Sequence, residues 1–404
     1  MMSLEGIRVL DWTIYQQGPV ASTFLADLGA DVIKIEQRGA GDPGRGMRKL
    51  LSATMRKGPT VNTYFETMNR NKRGIALDLR KDGGRQVVYR LVEKCDVFVH
   101  NFRKHVPGKL GVGYETLSRI NPRLIYGVGS TFGPEGPEAG NPAVDLIAQA
   151  RSGIMSSLAG PGDPPRLNVG GVADQVGGTT LVIGILAALI ARDRTGRGQK
   201  VEASLLGSMC WFQGSQLSFA LHMKNELKIL DRKKARNPLW NHYPCKDGKW
   251  IVLAMIDPER YWADFCRVIG RDDLVTDPRC TDIVTRSKNS RDIVRMFDET
   301  FVTRPRDEWM RILKEGGDFI FDRVNTLPEL AADPQVLAND YIIDCDLPVH
   351  GHVQIVGPPL HLSETPARVR NPAPALGQHT EEVLTEIGGY TREEIESLRA
   401  DEVI

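Results

Sequence analysis

An excess of charge of either sign is missing from this sequence. Lys and Arg number 52 against 51 Asp and Glu, a formal net charge of +1. A chain so balanced offers no field for nucleic acid or an anionic membrane, so neither is expected as a partner. Cysteine pairs are missing too. The six cysteines, at 95, 210, 245, 266, 280 and 345, include no Cys-x-x-Cys. That spacing argues against a structural zinc or a disulfide framework and for a reducing compartment. Long apolar runs are scarce: the longest, residues 181–191, falls short of the ~20 residues that a bilayer-spanning helix needs. The opening MMSLEGIRVLDW lacks a basic-then-apolar signal pattern, and a cytoplasmic protein is expected. Gly-x-x-x-x-Gly-Lys-[Ser/Thr], His-Glu-x-x-His and Gly-x-Ser-x-Gly do not occur. Their absence sets aside the usual NTPase, zinc-protease and serine-hydrolase chemistries.

What is there alternates. Residues 7–12 form a short apolar strand, 19–28 a helix stopped by Gly29, and 30–36 (ADVIKIE) a second strand. Strand, helix and strand at that spacing make a βαβ unit, hence a parallel sheet with helices on both faces. Glu36 closing the second strand suits a dinucleotide fold. The first turn, however, reads TIYQQGPV without Gly-x-Gly-x-x-Gly, so a nicotinamide site is not supported. A Gly-rich basic loop, QRGAGDPGRGMRK, and an irregular stretch to Thr67 follow. Further strands are expected at 74–79, 97–101, 124–128 and 200–204, with helices at 82–94 and 175–192.

At 404 residues two domains are the default. Composition changes near 216, where a hairpin around Lys246-Asp247-Gly248-Lys249 is followed by short amphipathic helices. The expected fold class is α/β. A large domain with a parallel sheet takes 1–215 and 325–404, and a smaller α+β domain takes 216–324. Arg38, Lys72, Arg73, Arg103 and Lys109 lie near the ends of successive strands, and open α/β sheets bind ligands at strand carboxyl ends. They read either as one polyanion site or as separate solvated charges.

Residues 141–160, NPAVDLIAQARSGIMSSLAG, hold the candidate for chemistry. Asn141-Pro142 reads as an N-cap with proline at the first helical position. Leu146, Ala150, Gly153 and Ile154 continue an apolar stripe, and Gly153 and Gly160 offer places to end it. In the first turn Asp145 stands between Val144 and Leu146. A carboxylate there complements the helix dipole; a second reading comes from its company.

LEGIRVLDW, LADLGADVIKIE, NRNKRGIALDL, NPRLIYG, VDLIAQARSGIM, GILAALIARDRTGRGQKVEASLL and PALGQHTEEVLTEIGGYT occur in that order along the chain. In that order and over essentially its full length, the chain resembles the class III CoA-transferases of the formyl-CoA transferase type. The resemblance implies a Rossmann-like large domain and coenzyme A as part of an acyl-CoA substrate, with a carboxylic acid as the second substrate and no metal. It also implies two chains interlocked as a homodimer, or a heteromer with a homologous subunit. It puts the nucleophilic aspartate at Asp145. The CoA-binding positions fall at Gln17, Gly18, Arg38, Asn69, Asn71, Lys72, Asn101, Phe102, Arg103 and Lys109.

Three departures bear on substrate. Pro-Gly stands at 107–108 rather than directly after Asn-Phe-Arg. Ser130 replaces the lysine of the formyl-CoA transferases, and ARNPLWNHYPC stands where those enzymes have a glycine-rich loop. The last two argue against formyl-CoA and oxalate. Acyl-CoA racemases of the same superfamily resemble the chain but carry His-Asp where Val144-Asp145 stands, with a second acid matching Asp174 in GGVADQVGG. Proton transfer needs an acid and a base, and Val144 is neither; Asp174 also reads as a packing or N-cap residue. The opening most resembles subunits of succinyl-CoA:benzylsuccinate CoA-transferase, from anaerobic aromatic degradation. Trp12, Tyr15 and Trp240 would suit an aromatic acceptor, or are core. The expected activity is CoA transfer from succinyl-CoA to an aromatic or dicarboxylic acid through an aspartyl anhydride and an aspartyl-CoA thioester. Its rivals are a racemase and a non-catalytic CoA-binding partner subunit.

Overall fold

Unbroken apolar runs mark strands buried on both faces, and such runs build the main sheet here. The computed structural model describes residues 1–404 apart from 48, 51–52, 55, 58–60, 143, 161, 226, 228, 230 and 348–350. Part of the irregular stretch before Thr67 thus lies outside the described residues. Contacts divide the chain into two units. Met1–Ser156, Pro165–Glu226 and Leu337–Ile404 form the first; Ser157–Pro164 and Leu227–Val336 form the second.

In the first unit six strands form one sheet: β1 (Arg8–Trp12), β2 (Asp31–Gln37), β3 (Lys72–Leu77), β4 (Val97–His100), β5 (Ile125–Ser130) and β6 (Lys200–Ser204). Their spatial order is β6-β5-β4-β1-β2-β3, with every neighbouring pair parallel. The chain thus winds outward from β1 to one edge, returns beside β1, and winds to the other, the doubly wound α/β arrangement. The helices used below are α1 (Gln17–Asp27), α2 (Thr63–Asn69), α3 (Asp82–Val92), α4 (Asp145–Ser152), α5 (Val172–Thr195), α6 (Leu205–Phe212) and α7 (Gly214–Met223). Successive strand residues point to opposite faces. Val9, Val32, Val97 and Val99 pack with α1 and α5, whereas Leu10, Ile33 and Phe98 pack with α3.

Helix α5 begins at Val172, a turn earlier than the apolar pattern from 175 suggests. Gly170 and Gly171, both at positive φ (104° and 77°), turn the chain straight into it. By length and composition alone α5 could cross a bilayer. In this fold its buried residues Leu181, Val182, Ile185 and Leu189 pack with α1 and the sheet. A Cβ at Gly178 would lie 2.7 Å from the Gln17 carbonyl oxygen, so α5 can press on α1 only with glycine there. The C-terminal tail covers the β3 edge: His379 N–H donates to the Gly74 carbonyl at 2.9 Å, and Gly74 N–H donates back to His379 Nδ1 at 3.0 Å. An edge so covered cannot template another strand.

The second unit has an antiparallel sheet in the order β7 (Trp240–Pro244), β8 (Trp250–Ala254), β9 (Phe321–Val324). Its helices Pro258–Val268, Ser290–Phe301 and Arg306–Gly316 close a core of its own around Tyr243, Phe265, Phe297, Phe301 and Trp309. The short, half-charged FDRV of β9 carries little strand signal, and the sequence reading missed it.

Candidate active site

The loops after β1, β4 and β5 open onto a cavity of about 1150 Å³. Open α/β sheets leave such a crevice outside the strand carboxyl ends, where strand order reverses. Every lining residue belongs to the first unit.

Asp145 stands in the cavity wall as the first residue of α4. The helix does not begin at Asn141-Pro142 as expected. Val144, extended at φ −136° and ψ 173°, holds the N-cap position without a side-chain cap, and Asn141-Pro142 lies ahead of it. Gly153 ends the helix in the left-handed region at φ 85°. Starting there leaves the Asp145 carboxylate free to reach a neighbour. Oδ1 accepts the backbone N–H of Ala173 at 2.7 Å and of Asp174 at 3.1 Å, both in the first turn of α5. First-turn N–H groups have no partner within their own helix. Oδ2 accepts Nε2 of Gln149, one turn on in α4, at 2.5 Å. Gln149 is itself locked: Oε1 accepts the Asn168 N–H and Nε2 donates to the Asn168 carbonyl, each at 2.9 Å. All three donors to Asp145 are neutral.

Four of the residues expected at a CoA site line this cavity: Gln17, Asn101, Phe102 and Arg103. Gln17 is buried and donates Nε2 to the carbonyls of Ala203 (3.2 Å) and Ser130 (3.4 Å). Asn101 clasps Ile14 through both its N–H (2.9 Å) and its carbonyl (2.8 Å), fixing the loop after β1. Phe102 stacks on Trp12 at 4.1 Å between centroids. Arg103 is exposed, and among the described residues nothing pairs with its guanidinium.

The structure places the others elsewhere. Gly18 lies under Thr13, where a Cβ would come within 2.5 Å. Lys72 is buried, its ammonium donating to Asp11 (2.9 Å), Ser22 (2.8 Å) and Asn69 (3.0 Å). Asn69 therefore serves that ammonium. Asn71, at φ 63°, bonds Asp27 and the backbone of Arg368, Arg370 and Asn371 in the tail. Arg38 donates Nε to the Ile404 carbonyl at 2.9 Å. Arg73 pairs with Asp31, Glu382 and Glu386. Lys109 is exposed in a short turn, Val106–Lys109, outside the cavity wall. The five basic residues read as one candidate polyanion site therefore do not converge. Of the aromatics, Tyr15 lines the cavity, Trp12 is core, and Trp240 belongs to the second unit.

Sequence reasoning missed Gln149, although its spacing of four from Asp145 puts both on one helix face. It also passed over His100. That ring lines the cavity, and burial, helped by Lys200, pushes it down to about 3, so it is a neutral acceptor for the Phe102 N–H at 3.2 Å. Asp174 is not an N-cap: Gly171 holds that position, and Asp174 lines the cavity. Burial, then the neighbouring Asp145, push it up to about 7. Ser130 keeps a buried hydroxyl with no partner among the described residues at the same wall.

The family model described as CoA-transferase family III matches residues 4–380. The chain belongs to that family. It is similar to (R)-2-hydroxy-4-methylpentanoate CoA-transferase of Clostridioides difficile, 31% identical over 407 residues and covering the whole of both chains. Succinyl-CoA:glutarate CoA-transferase of Mus musculus is 32% identical over the whole of this chain and 91% of its own. A crystal structure of a CaiB/BaiF family protein from Brucella suis aligns with a TM-score of 0.86 at 29% identity, covering 96% of this chain and 99% of that one. As a family III member the chain is a class III CoA-transferase, and its substrates include CoA thioesters.

Proposed function

We propose that the chain exchanges CoA between carboxylic acids by covalent catalysis at Asp145, with succinyl-CoA as donor and an aromatic or dicarboxylic acid, such as benzylsuccinate, as acceptor. One observation carries the reading: a carboxylate in the wall of a large cavity, oriented by three neutral donors and, among the described residues, by no cation. Oδ2 attacks the thioester carbonyl of the donor, giving an aspartyl-acyl anhydride and CoA thiolate. The thiolate attacks the Asp145 carbonyl carbon, giving an aspartyl-CoA thioester and releasing the donor acid. The acceptor carboxylate then attacks that thioester, and the returning thiolate takes the acceptor acyl group, restoring the carboxylate. Two easier displacements thus replace one difficult exchange in each direction. During attack at the Asp145 carbonyl carbon, charge develops on Oδ1, where the Ala173 and Asp174 N–H groups are already in place.

Arg103 and Phe102 at the cavity wall are the groups we assign to CoA. The apolar Ile14, Tyr15, Val144, Leu167 and Val169 beside them suit an acid with an apolar body. Dicarboxylate exchange is named for the Mus musculus relative, which supports succinyl-CoA as donor. The test is mass spectrometry of the purified chain incubated with succinyl-CoA and hydroxylamine. A hydroxamate is expected at Asp145 only when the thioester is present, and a panel of acids then identifies the acceptor. A label at another residue would refute the mechanism.

The assembly belongs to the same proposal: an interlocked homodimer, or a heteromer with a homologous subunit, in the cytoplasm. Ile183 and Ile190 of α5, Trp211 and Phe212 of α6, and Leu221 and Met223 of α7 are exposed in the single chain, Trp211 to 85%. So much exposed apolar surface supports a covered face. Sedimentation showing a folded monomer at low concentration removes the idea.

A further inference from the structure

His100 sits in the cavity wall at 2% exposure, and the chemistry proposed above makes no use of it. Its Nδ1 accepts the Phe102 N–H at 3.2 Å. A neutral imidazole that accepts at one nitrogen carries its proton on the other, so Nε2–H is a donor. Burial, helped by the charge of Lys200, pushes the ring down to about 3 and keeps it neutral at working pH. Among the described residues nothing accepts from Nε2. A buried N–H without a partner costs stability, so a donor left open at a cavity wall marks a place for an acceptor atom from outside the chain. The strand register shows what lies beside it. His100 of β4 stands opposite Val128 of β5, and Val128 opposite Glu202 of β6; two residues back, Phe98, Tyr126 and Lys200 align in the same order. Residues two apart on a strand share a face, so Lys200 stands on the face that carries His100, two strands or roughly 10 Å of backbone away. The short Val128 between them leaves room there. Lys200 and Glu202 both line the cavity and pair at 3.0 Å. Glu202 engages one edge of the ammonium and fixes it, while the ammonium has three N–H groups to give. Tyr126 meets the His100 ring edge-on at 5.3 Å and spends its O–H on the Val112 carbonyl at 3.0 Å. This part of the wall thus presents an imidazole N–H and an ammonium beside an aromatic ring.

We propose that His100 and Lys200 bind the second carboxylate of a dicarboxylic acid, His100 Nε2–H donating to one of its oxygens and the Lys200 ammonium to the other. The inference deepens the proposed function and rests on it. Succinyl-CoA as donor and a dicarboxylate as acceptor occupy the cavity in turn, and what they share is a carboxylate remote from the reacting one. A monocarboxylate of equal length leaves both donors unpaired, and that loss sets the preference. His100 does not touch the reacting atoms; it determines which acid fits.

The experiment compares kcat/KM for succinyl-CoA with that for butyryl-CoA, in which a methyl replaces the remote carboxylate, in the full-length chain and four variants. The wild type should favour succinyl-CoA by at least about 10-fold. His100→Asn keeps an acceptor for the Phe102 N–H but withdraws the donor at Nε2, and should lower that ratio about tenfold. His100→Gln puts an amide N–H where Nε2 was and should keep the ratio within about threefold. Lys200→Met should lower it about three- to tenfold, whereas Lys200→Arg should preserve it. A wild type without preference, a ratio unchanged in either His100→Asn or Lys200→Met, or His100→Gln behaving as His100→Asn overturns the proposal. A readout without turnover separates this site from the chemistry at Asp145. Nitrogen NMR of the free enzyme should show a neutral His100 with its proton on Nε2, and that signal should move on adding succinate and stay with butyrate. A signal unmoved by succinate overturns the site even where CoA exchange proceeds. A signal that moves in a chain forming no hydroxamate at Asp145 upholds the site and counts against the nucleophile instead.

Discussion

Two groups of carboxylates lie in the first unit, and opposite means hold them. Beneath the loop after β1, Asp11 meets the Lys72 ammonium at 2.9 Å, Asp42 meets that of Lys34 at 2.8 Å, and Glu36 meets the Arg45 guanidinium at 2.6 Å. Burial would raise the Asp11 carboxyl, but Lys72 and Lys34 overcome it and hold Asp11 below the ordinary carboxylate range. Burial pulls Lys72 down to about 8 against the attraction of Asp11. In the cavity wall, Asp145 meets no cation among the described residues and is held by backbone and amide dipoles. An acid committed to a buried ammonium is fixed and chemically quiet, because its lone pairs and charge are already used. An acid held by neutral dipoles is equally fixed in place but keeps charge to offer an electrophile. On the proposed reading, the same side chain is scaffold in one setting and reagent in the other.

The largest expected effect separates the two settings by activity. Asp145→Asn should fold, bind acyl-CoA and lose exchange by at least about 1,000-fold, because the nucleophile is gone while Gln149 and α5 keep their shape. Circular dichroism and calorimetry with CoA would establish the fold and the binding; near-normal turnover would make Asp145 structural. Next in size is the converse experiment. Lys72→Met leaves Asp11 buried with a single lysine nearby and should cost about 3–5 kcal/mol in urea unfolding, with turnover per folded molecule little changed. If its stability matched wild type, the ion pair would not be the support described here.

How much of this was legible in the sequence follows the same division. Strands β1, β2, β4 and β5 announce themselves because residues buried on both faces leave runs such as VIKI and VFV. Asp145 stood out through the motif it sits in; local physics alone gave a helix-dipole acid. The partners of Lys72 and Arg73 could not be read. Asp11 lies 61 residues from Lys72 and Glu382 lies 309 from Arg73, so only the folded chain shows them neutralised. Asn141-Pro142 misled because it has the chemistry of a helix start, while the helix begins where Asp145 can reach α5.

A smaller effect sharpens what the neutral donors contribute. Gln149→Leu keeps the bulk of the side chain and removes the donor to Oδ2, so Asp145 is held by α5 alone. Loss of one orienting hydrogen bond should lower kcat roughly 10- to 100-fold and leave the KM for acyl-CoA within about twofold. Gln149→Glu should do no better, since a carboxylate there opposes Asp145 instead of donating to it. A KM effect without a kcat effect would make Gln149 part of the substrate pocket, and not a positioning residue.

The smallest effect asks whether charges outside both groups matter, and Arg103 is the one to test. It is exposed at the cavity wall and unpaired among the described residues, so its guanidinium is free to meet a phosphate. Arg38 is the natural comparison, because its Nε already serves the Ile404 carbonyl at 2.9 Å. Removing a solvent-exposed contact to a phosphate is worth little at physiological salt, where screening acts over about 8 Å. Arg103→Ala should therefore raise the KM for acyl-CoA only about 3- to 10-fold, with the acceptor KM unchanged, since only the thioester substrate carries phosphates. The difference from wild type should shrink in high salt, as expected of an exposed charge and not of a buried one such as Lys72. Arg38→Ala should move the same KM less than Arg103→Ala. If Arg38→Ala has the larger effect, the phosphates lie toward the C-terminal end of β2, and the assignment of Arg103 to CoA is wrong.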